Sequence, residues 1–203
     1  MTWPSATPVG TARLRLEPLR AGHAPEAFAL FDDVRLHRWT GGAPDTLEQL
    51  DARYRRQSAG HSPDGRHGWL NWMLRRLTDG RLVGTVQATL SRPDPVPATR
   101  RDPGAGAAEA ELAWVIGVAH QGEGYGREGA LAMAAWLRAH GVDRLTAHIH
   151  PGHEASMGIA RALDLRATDR STDGEVLWTG RLTAPPARTA RTPRTSRTPG
   201  PPG

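Results

Sequence analysis

The stretch Glu109-Ala-Glu-Leu-Ala-Trp-Val-Ile-Gly-Val-Ala-His-Gln-Gly-Glu-Gly-Tyr-Gly-Arg-Glu-Gly129, continued by Ala-Leu-Ala-Met-Ala-Ala-Trp-Leu-Arg-Ala-His-Gly141, decides how this chain folds. Leu112 to Val118 is a short, mostly apolar run with the β-branched and aromatic content of a buried strand. Arg127 to His140 is longer and apolar almost all round, as suits a helix enclosed in a core. Arg138 and His140 fall in its last turn, and Gly141 stands where a left-handed cap belongs. Between strand and helix lie Gly122, Gly124 and Gly126, which let the backbone approach a ligand with no Cβ in the way. The free N–H groups and the positive dipole end of the helix face that ligand, so the expected occupant is a diphosphate or similar anion held by main chain.

Three kinds of site fit this description. A Walker phosphate loop needs Gly-Lys followed by Ser or Thr, and the chain contains no lysine. Gly124 to Gly129 matches the dinucleotide pattern G-x-G-x-x-G, with Asp143 at about the distance of the ribose-binding acid, and would make the protein a nicotinamide-dependent oxidoreductase. The context disfavours it: Gly124 does not directly follow the strand end at Ile116, two carboxylates sit in the strand, and Asp143 opens the next strand where it should end one. The best fit is the third. Ile116 to Gly126, with the core Gln121-x-x-Gly124-x-Gly126, resembles the acetyl-CoA signature of the GNAT superfamily of N-acetyltransferases, in which Gln or Arg-x-x-Gly-x-Gly or Ala follows an apolar strand end and a short loop. A non-catalytic CoA-binding protein would share that signature.

The resemblance implies an α+β, GNAT-like fold: a central mixed, mostly antiparallel, twisted sheet of six to seven strands flanked by about four helices. It implies acetyl-CoA as acyl donor, held by Ile116, Val118, Gln121, Gly122, Glu123, Gly124, Tyr125, Gly126 and Arg127. It covers about Thr11 to Leu182 and is strongest from Glu109 to Arg138. The long acceptor helices, the Trp-rich strand and an absent tyrosine look most like the branch that includes ribosomal-protein N-terminal acetyltransferases.

A length of 203 residues suits one domain with a full core. The absence of cysteine excludes disulfides, thiolate nucleophiles and cysteine-zinc sites and is compatible with the cytoplasm. No signal-peptide pattern or membrane-length apolar run is present, so a soluble cytoplasmic protein is expected. All 26 basic residues are arginine, which reads as coding bias. From Thr183 to Gly203 the chain is only Thr, Ala, Pro, Arg, Ser and Gly, with Arg188, Arg191, Arg194 and Arg197 and no acid. This composition predicts a disordered tail. The expected organisation is residues 1–10 as an N-terminal extension, 11–182 as the acetyltransferase domain and 183–203 as the tail. The domain itself is nearly neutral, so nucleic acid is expected to meet at most the tail, weakly, through phosphates. No membrane partner is implied, and a homodimer is allowed.

In order along the chain, Thr11 to Leu19 alternates Ala12, Leu14 and Leu16 against charged residues and predicts a half-buried strand ended by Pro18. Ala24 to Leu36 predicts a helix with Phe28, Leu30, Phe31 and Val34 as its apolar stripe, and Thr46 to Ser58 a second. In the family these two helices and the turn between them wall the acceptor pocket, which makes His37, Arg38 and Trp39 candidate substrate contacts by position. Trp69 to Leu77 and Leu82 to Leu90 predict a hairpin turning at Thr78 to Arg81. Ser91 to Ala107 is too rich in Pro, Gly and Arg for a regular element and reads as a flap or an insertion at a loop tip. Arg144 to His150 alternates and, after a helix of this length, should run parallel to the strand before it. A helix from His153 to Leu163 follows, and Val176 to Leu182 closes the sheet. In the family that helix starts Asn-x-x-Ser and contacts the pantetheine arm; Ser156 matches, His153 replaces Asn, and Asp164 replaces a glycine after the helix. His148, His150 and His153 have the look of a metal set, but no further ligand cluster accompanies them and no metal is expected.

Amine acylation requires a base for the acceptor, polarisation of the carbonyl and a proton for the thiolate. Glu111 lies on the glycine-loop strand where many family members carry their base. Glu109 shares its face at two-residue spacing, and mutual repulsion would raise the pKa of one of the pair. Glu111 is the first candidate and Glu109 the second. The resemblance assigns polarisation to main-chain N–H groups near Ile116 and Val118, where the strand should splay from its neighbour. The tyrosine that often protonates the thiolate is replaced by Ala160, leaving water or Ser156. Arg53, Arg55 and Arg56 near the pocket lean the acceptor towards an α-amine with a carboxylate nearby and away from a polycation.

Overall fold

The computed structural model describes residues 2–39, 41–92 and 108–182. The tail and most of the 91–107 segment lie outside the described residues. Twelve regular elements follow in order: β1 (Val9–Gly10), β2 (Leu14–Pro18), α1 (Ala24–Phe31), α2 (Leu47–Gln57), β3 (Gly68–Arg76), β4 (Leu82–Ser91), β5 (Ala108–Ile116), α3 (Tyr125–Ala139), β6 (Val142–Ile149), α4 (Glu154–Ala162), β7 (Arg166–Thr172) and β8 (Glu175–Arg181). The strands form one sheet in the order β1-β2-β3-β4-β5-β6-β8-β7. Among the described residues only β5 and β6 pair in parallel. This is the mixed, mostly antiparallel α+β sheet expected, with eight strands where six to seven were expected, and with one parallel pair it is no dinucleotide-binding doubly wound sheet.

Strand alternation sends one set of side chains to each face of the sheet. Leu14, Leu16, Trp72, Leu74, Val86, Leu112, Leu145 and Ile149 point to one face and bury against Met133, Ala134 and Leu137 of α3 and Met157 and Ala160 of α4. The other face carries a smaller cluster, in which Leu19, Met73 and Leu82 meet Ala24 and Ala27 of α1 and Leu50 and Tyr54 of α2. α1 packs on β4 and α2 on β3. Beyond that contact this face of β5 and β6 presents Glu109, Glu111, Arg144, Thr146 and His148, polar residues that need no helix over them.

Several boundaries differ from expectation, each for a local reason. The glycine-loop strand ends at Ile116, and Val118 belongs to a 3-10 turn, Val118–His120. α1 stops at Phe31 because the Asp33 carboxylate accepts the Arg35 N–H and starts a separate 3-10 turn, Val34–His37. Val34, assigned to the apolar stripe of α1, is consequently 68% exposed. Ala12 is exposed and precedes β2. β8 does not close the sheet: β7, an almost wholly exposed strand with no apolar alternation, lies outside it. Residues 2–10, set apart as an extension, are packed onto the domain. Val9 and Gly10 pair with Leu16 and Arg15, the Trp3 indole donates to the Gly65 carbonyl at 3.0 Å, and the Trp72 indole donates to the Thr7 carbonyl at 2.8 Å.

Candidate active site

The site begins where β5 and β6 part. Their pairing runs from Ala108 opposite Val142 to Glu111 opposite Thr146 and stops there, although β5 continues to Ile116 and β6 to Ile149. The two strands therefore diverge from Glu111 onward, leaving a wedge between them. On its other edge β5 stays paired with β4, and the Gly117 N–H donates to the Val83 carbonyl at 3.0 Å. Since main-chain groups alternate sides along a strand, those of Trp114 and Ile116 face the wedge. The Ile116 carbonyl accepts the Gln121 side-chain amide at 3.0 Å, which closes the base of the loop.

The glycine loop follows at the wedge's open end. Gly122 and Gly124 both have φ +81°, a backbone that L side chains avoid. Gly126 differs in role from its neighbours: it lies within α3, and a Cβ there would come 2.9 Å from Ile159 and 3.2 Å from Ile116. The absence of a side chain at Gly126 makes room for the packing of α3 against Ile116 and Ile159. Apart from the Glu123 N–H, which closes the tight turn over Gln121 and Gly122, none of the N–H groups from Gly122 to Arg127 finds an acceptor among the described residues. Gln121 to Gly124 are exposed, and a Cβ on Gly122 would meet open space. A run of free donors at a helix N-terminus fits an anion of diphosphate size. The Tyr125 side chain is buried beneath Arg13, whose guanidinium carbon lies 4.8 Å from the ring centroid, so this residue can offer a ligand only its main chain. The Glu123 and Arg127 side chains are exposed.

Across the wedge, the Trp114 indole donates to Ser156 Oγ at 3.1 Å. Ser156 is 9% exposed in the first turn of α4 and keeps its own hydroxyl proton for donation. Ala160 is fully buried and leaves no acid at that position. Asp164 takes φ +59° after the helix, the conformation its glycine counterpart would adopt.

Trp39 links the two halves of the site. Its ring lies 5.0 Å from that of His150 and is stacked 5.5 Å from that of His153. The Arg38 guanidinium covers it at 4.7 Å, and Gly152 provides the space, since a Cβ there would come 2.8 Å from the indole. The turn between α1 and α2 is thereby fixed to the corner between β6 and α4. His150 Nδ1 accepts the Gly152 N–H at 3.0 Å, which leaves its proton on Nε2. Burial, with His150 beside it, holds His153 below the ordinary histidine value. Of the three histidines His148, His150 and His153, the last two belong to this stack, and no group of three or more His, Cys, Asp or Glu that could hold a metal ion occurs among the described residues. His37 is not brought to it: His37 Nδ1 lies 3.2 Å from the Gly41 carbonyl oxygen.

The arginines invoked for an acceptor carboxylate are largely occupied. Arg55 pairs with Asp51 at 2.7 Å. Arg53 Nη1 lies 2.7 Å from Asp45 Oδ2, an ion pair by distance although no aligned hydrogen bond reaches that oxygen. A crevice of about 440 Å³ bounded by Ala24, Pro25, Leu47, Glu48 and Asp51 lies on the outer side of α1 and α2, apart from loop and wedge.

One set of contacts has no forerunner in the local sequence. Glu128, in the first turn of α3, accepts the Thr11 hydroxyl at 2.6 Å, the Arg13 N–H at 2.9 Å and Arg13 Nε at 2.7 Å. Burial would raise its carboxyl, but these donors outweigh burial and hold it below the usual carboxylate range. Glu128 stood within the quoted glycine pattern, whereas nothing in the sequence marked its partners.

Residues 13–166 match the family model of the acetyltransferase (GNAT) domain. No curated protein sequence matches the chain. Among solved structures, the RimL ribosomal L7/L12 alpha-N-protein acetyltransferase in complex with coenzyme A superposes with a TM-score of 0.65 at 12% identity, over 87% of this chain and 98% of that one. An acetyltransferase of the GNAT family from Bacillus anthracis gives 0.64 at 12% identity, over 86% and 98%. AAC(6')-Ib in complex with parmomycin and acetyl-CoA gives 0.60 at 16% identity, over 81% and 90%. At these identities the likeness is one of fold. Among the described residues no helix is long and apolar enough to cross a membrane.

Proposed function

Because the chain belongs to the GNAT acetyltransferase family, and is with that family an acetyl-CoA-dependent N-acetyltransferase, we propose that it acetylates the primary amine of a small molecule or a peptide N-terminus by direct attack in a ternary complex. The observation that carries this reading is the run of free N–H groups from Gly124 to Arg127 beside the open β5–β6 wedge. The loop suits the donor's diphosphate, and the wedge, with the main chain of Trp114 and Ile116 turned into it, suits the pantetheine arm. Acetyl-CoA supplies an acetyl group already activated as a thioester.

Glu111 receives the proton that an acceptor ammonium must lose before its nitrogen can attack. It stands in the last paired row before the wedge, opposite Thr89 and Thr146, on the face left open by α1 and α2. Glu109, two rows further from the wedge and opposite Arg144, is less well placed. The N–H groups near Ile116 and Val118 hydrogen-bond the acyl oxygen, and the Ser156 hydroxyl or water returns a proton to the thiolate. Trp39, flanked by Arg38, forms the acceptor wall. With Arg53 and Arg55 ion-paired, the Arg38 guanidinium over Trp39 is the positive charge on that wall that meets an acceptor carboxylate.

Thermal unfolding with acetyl-CoA, CoA or NAD tests the reading. A ligand at about 100 times its Kd adds about 2.7 kcal/mol to stability, so acetyl-CoA and CoA should raise the midpoint and NAD should not. Glu111→Gln should then lower kcat by about 10²–10⁴ while the CoA-induced shift persists. A shift with NAD alone would overturn the reading, and CoA binding without transfer to any peptide or small amine would leave a CoA-binding protein in its place.

A further inference from the structure

We propose that Thr11, Arg13 and Glu128 form a latch that sets the main-chain conformation of the glycine loop and thereby its affinity for the diphosphate of the acyl donor; the inference rests on the reading of that loop as the diphosphate cradle. The residues of the latch lie 115 and 117 positions apart in the chain. Thr11 and Arg13 lie where the chain enters β2, and Glu128 on α3 receives three of their donors on one carboxylate. Arg13 then reaches past Glu128: its Nη1 donates to the Glu123 carbonyl at 3.0 Å, and its guanidinium covers Tyr125. The Glu128 N–H closes the turn from within by donating to the Gly124 carbonyl at 3.1 Å.

Two consequences follow from this geometry. The peptide unit between Glu123 and Gly124 is planar and trans, so its carbonyl and its N–H point in opposite directions. Tying the Glu123 carbonyl to Arg13 therefore aims the Gly124 N–H away from Arg13, in a segment whose two glycines would otherwise allow many orientations. The second consequence is electrostatic. An unpaired carboxylate in the first turn of α3 would repel a bound diphosphate, and the Arg13 guanidinium neutralises it. Arg13 is a positioning residue: it acts through the loop.

The test compares calorimetric Kd values for CoA and for S-acetylpantetheine, which lacks the diphosphate, in the wild type and in Arg13→Ala, Arg13→Lys, Glu128→Gln and the Arg13→Ala/Glu128→Gln pair, each at a temperature where its own unfolding curve shows it folded. Arg13→Ala should weaken CoA about tenfold or more and leave S-acetylpantetheine within about twofold. Arg13→Lys should keep the charge but lose the aligned donors, and fall between. The double variant should bind CoA better than Arg13→Ala alone, because it removes the uncompensated carboxylate. Equal losses for both ligands, or CoA affinity unchanged in Arg13→Ala and Glu128→Gln alike, would overturn the latch. A wild type that fails to prefer CoA over S-acetylpantetheine would instead overturn the cradle on which it rests. If Arg13→Ala does not fold, Arg13→Lys and Glu128→Gln decide the matter by the same ratio.

Discussion

Gly84 is more tightly constrained than either glycine at the tip of the loop. A Cβ there would lie 2.5 Å from the Val115 carbonyl oxygen and 3.1 Å from Ile116 Cα, backbone atoms that cannot rotate aside. Gly84→Ala has to part β4 from β5 at the foot of the glycine loop, and denaturant unfolding should show a loss of about 1–3 kcal/mol. Gly122→Ala meets no neighbouring atom, yet its φ of +81° makes any Cβ unfavourable, by about 1–2 kcal/mol. The pair separates strain of packing from strain of conformation; a Gly84→Ala protein as stable as the wild type would show that the strands do not approach so closely. At this scale the sequence is most readable where the constraint is local. Gln121, Gly122 and Gly124 belong to one turn and announce it. The Arg13–Glu128 ion pair joins residues 115 positions apart, and neither residue has a neighbour that betrays the other.

Among the elements, the helices owe their ends to side chains. Thr46 Oγ1 accepts the Gln49 N–H at 3.2 Å while Gln49 Oε1 accepts the Thr46 N–H at 2.8 Å, a reciprocal cap that starts α2. Thr46→Ala should cost about 1 kcal/mol, seen as a fall of a few degrees in the thermal midpoint. α4 ends differently. The Leu165 N–H bonds to the Ala160 carbonyl and the Asp164 N–H to that of Arg161, which forces Asp164 to φ +59°. Asp164→Gly should raise stability by up to about 1 kcal/mol, and an unchanged or lower midpoint would refute that strain. Both helices were legible because caps and apolar periodicity lie within a few residues of each other. The strand β7 was not: Arg166 to Thr172 is exposed along nearly its whole length, and a strand that buries almost nothing carries no alternation to read. The end of α1 was missed because Val34 continues the apolar spacing of the helix, while the Asp33 side chain diverts the backbone just before it.

For the molecule as a whole, acid should act in two stages. Burial holds His23 and His153 below the ordinary histidine value, His23 despite the nearby Glu17 carboxylate. The unfolded chain therefore takes up these protons first, so their contribution is complete above about pH 6.5 and is lost as pH falls through the depressed values. Glu17, Glu26 and Glu128, each lowered against burial by arginine or main-chain donors, lose theirs only below the usual carboxylate range. The midpoint measured from pH 7 downward should decline first below about 6.5 and more steeply below about 4.5, with His23→Asn flattening the first stage; a midpoint rising on acidification would contradict the assignment. The divided sheet has a consequence for how the protein opens. One portion, β1 to β5, and the other, β6, β8 and β7, share a seam that ends at Glu111 and Thr146, with α3 lying across β4, β5 and β6. Such a seam separates two cooperative units, and under native conditions the amides of the smaller one exchange with deuterium through openings that leave β3 and β4 protected. Whatever fills the wedge spans both units, and its occupancy would merge their separate openings into a single event.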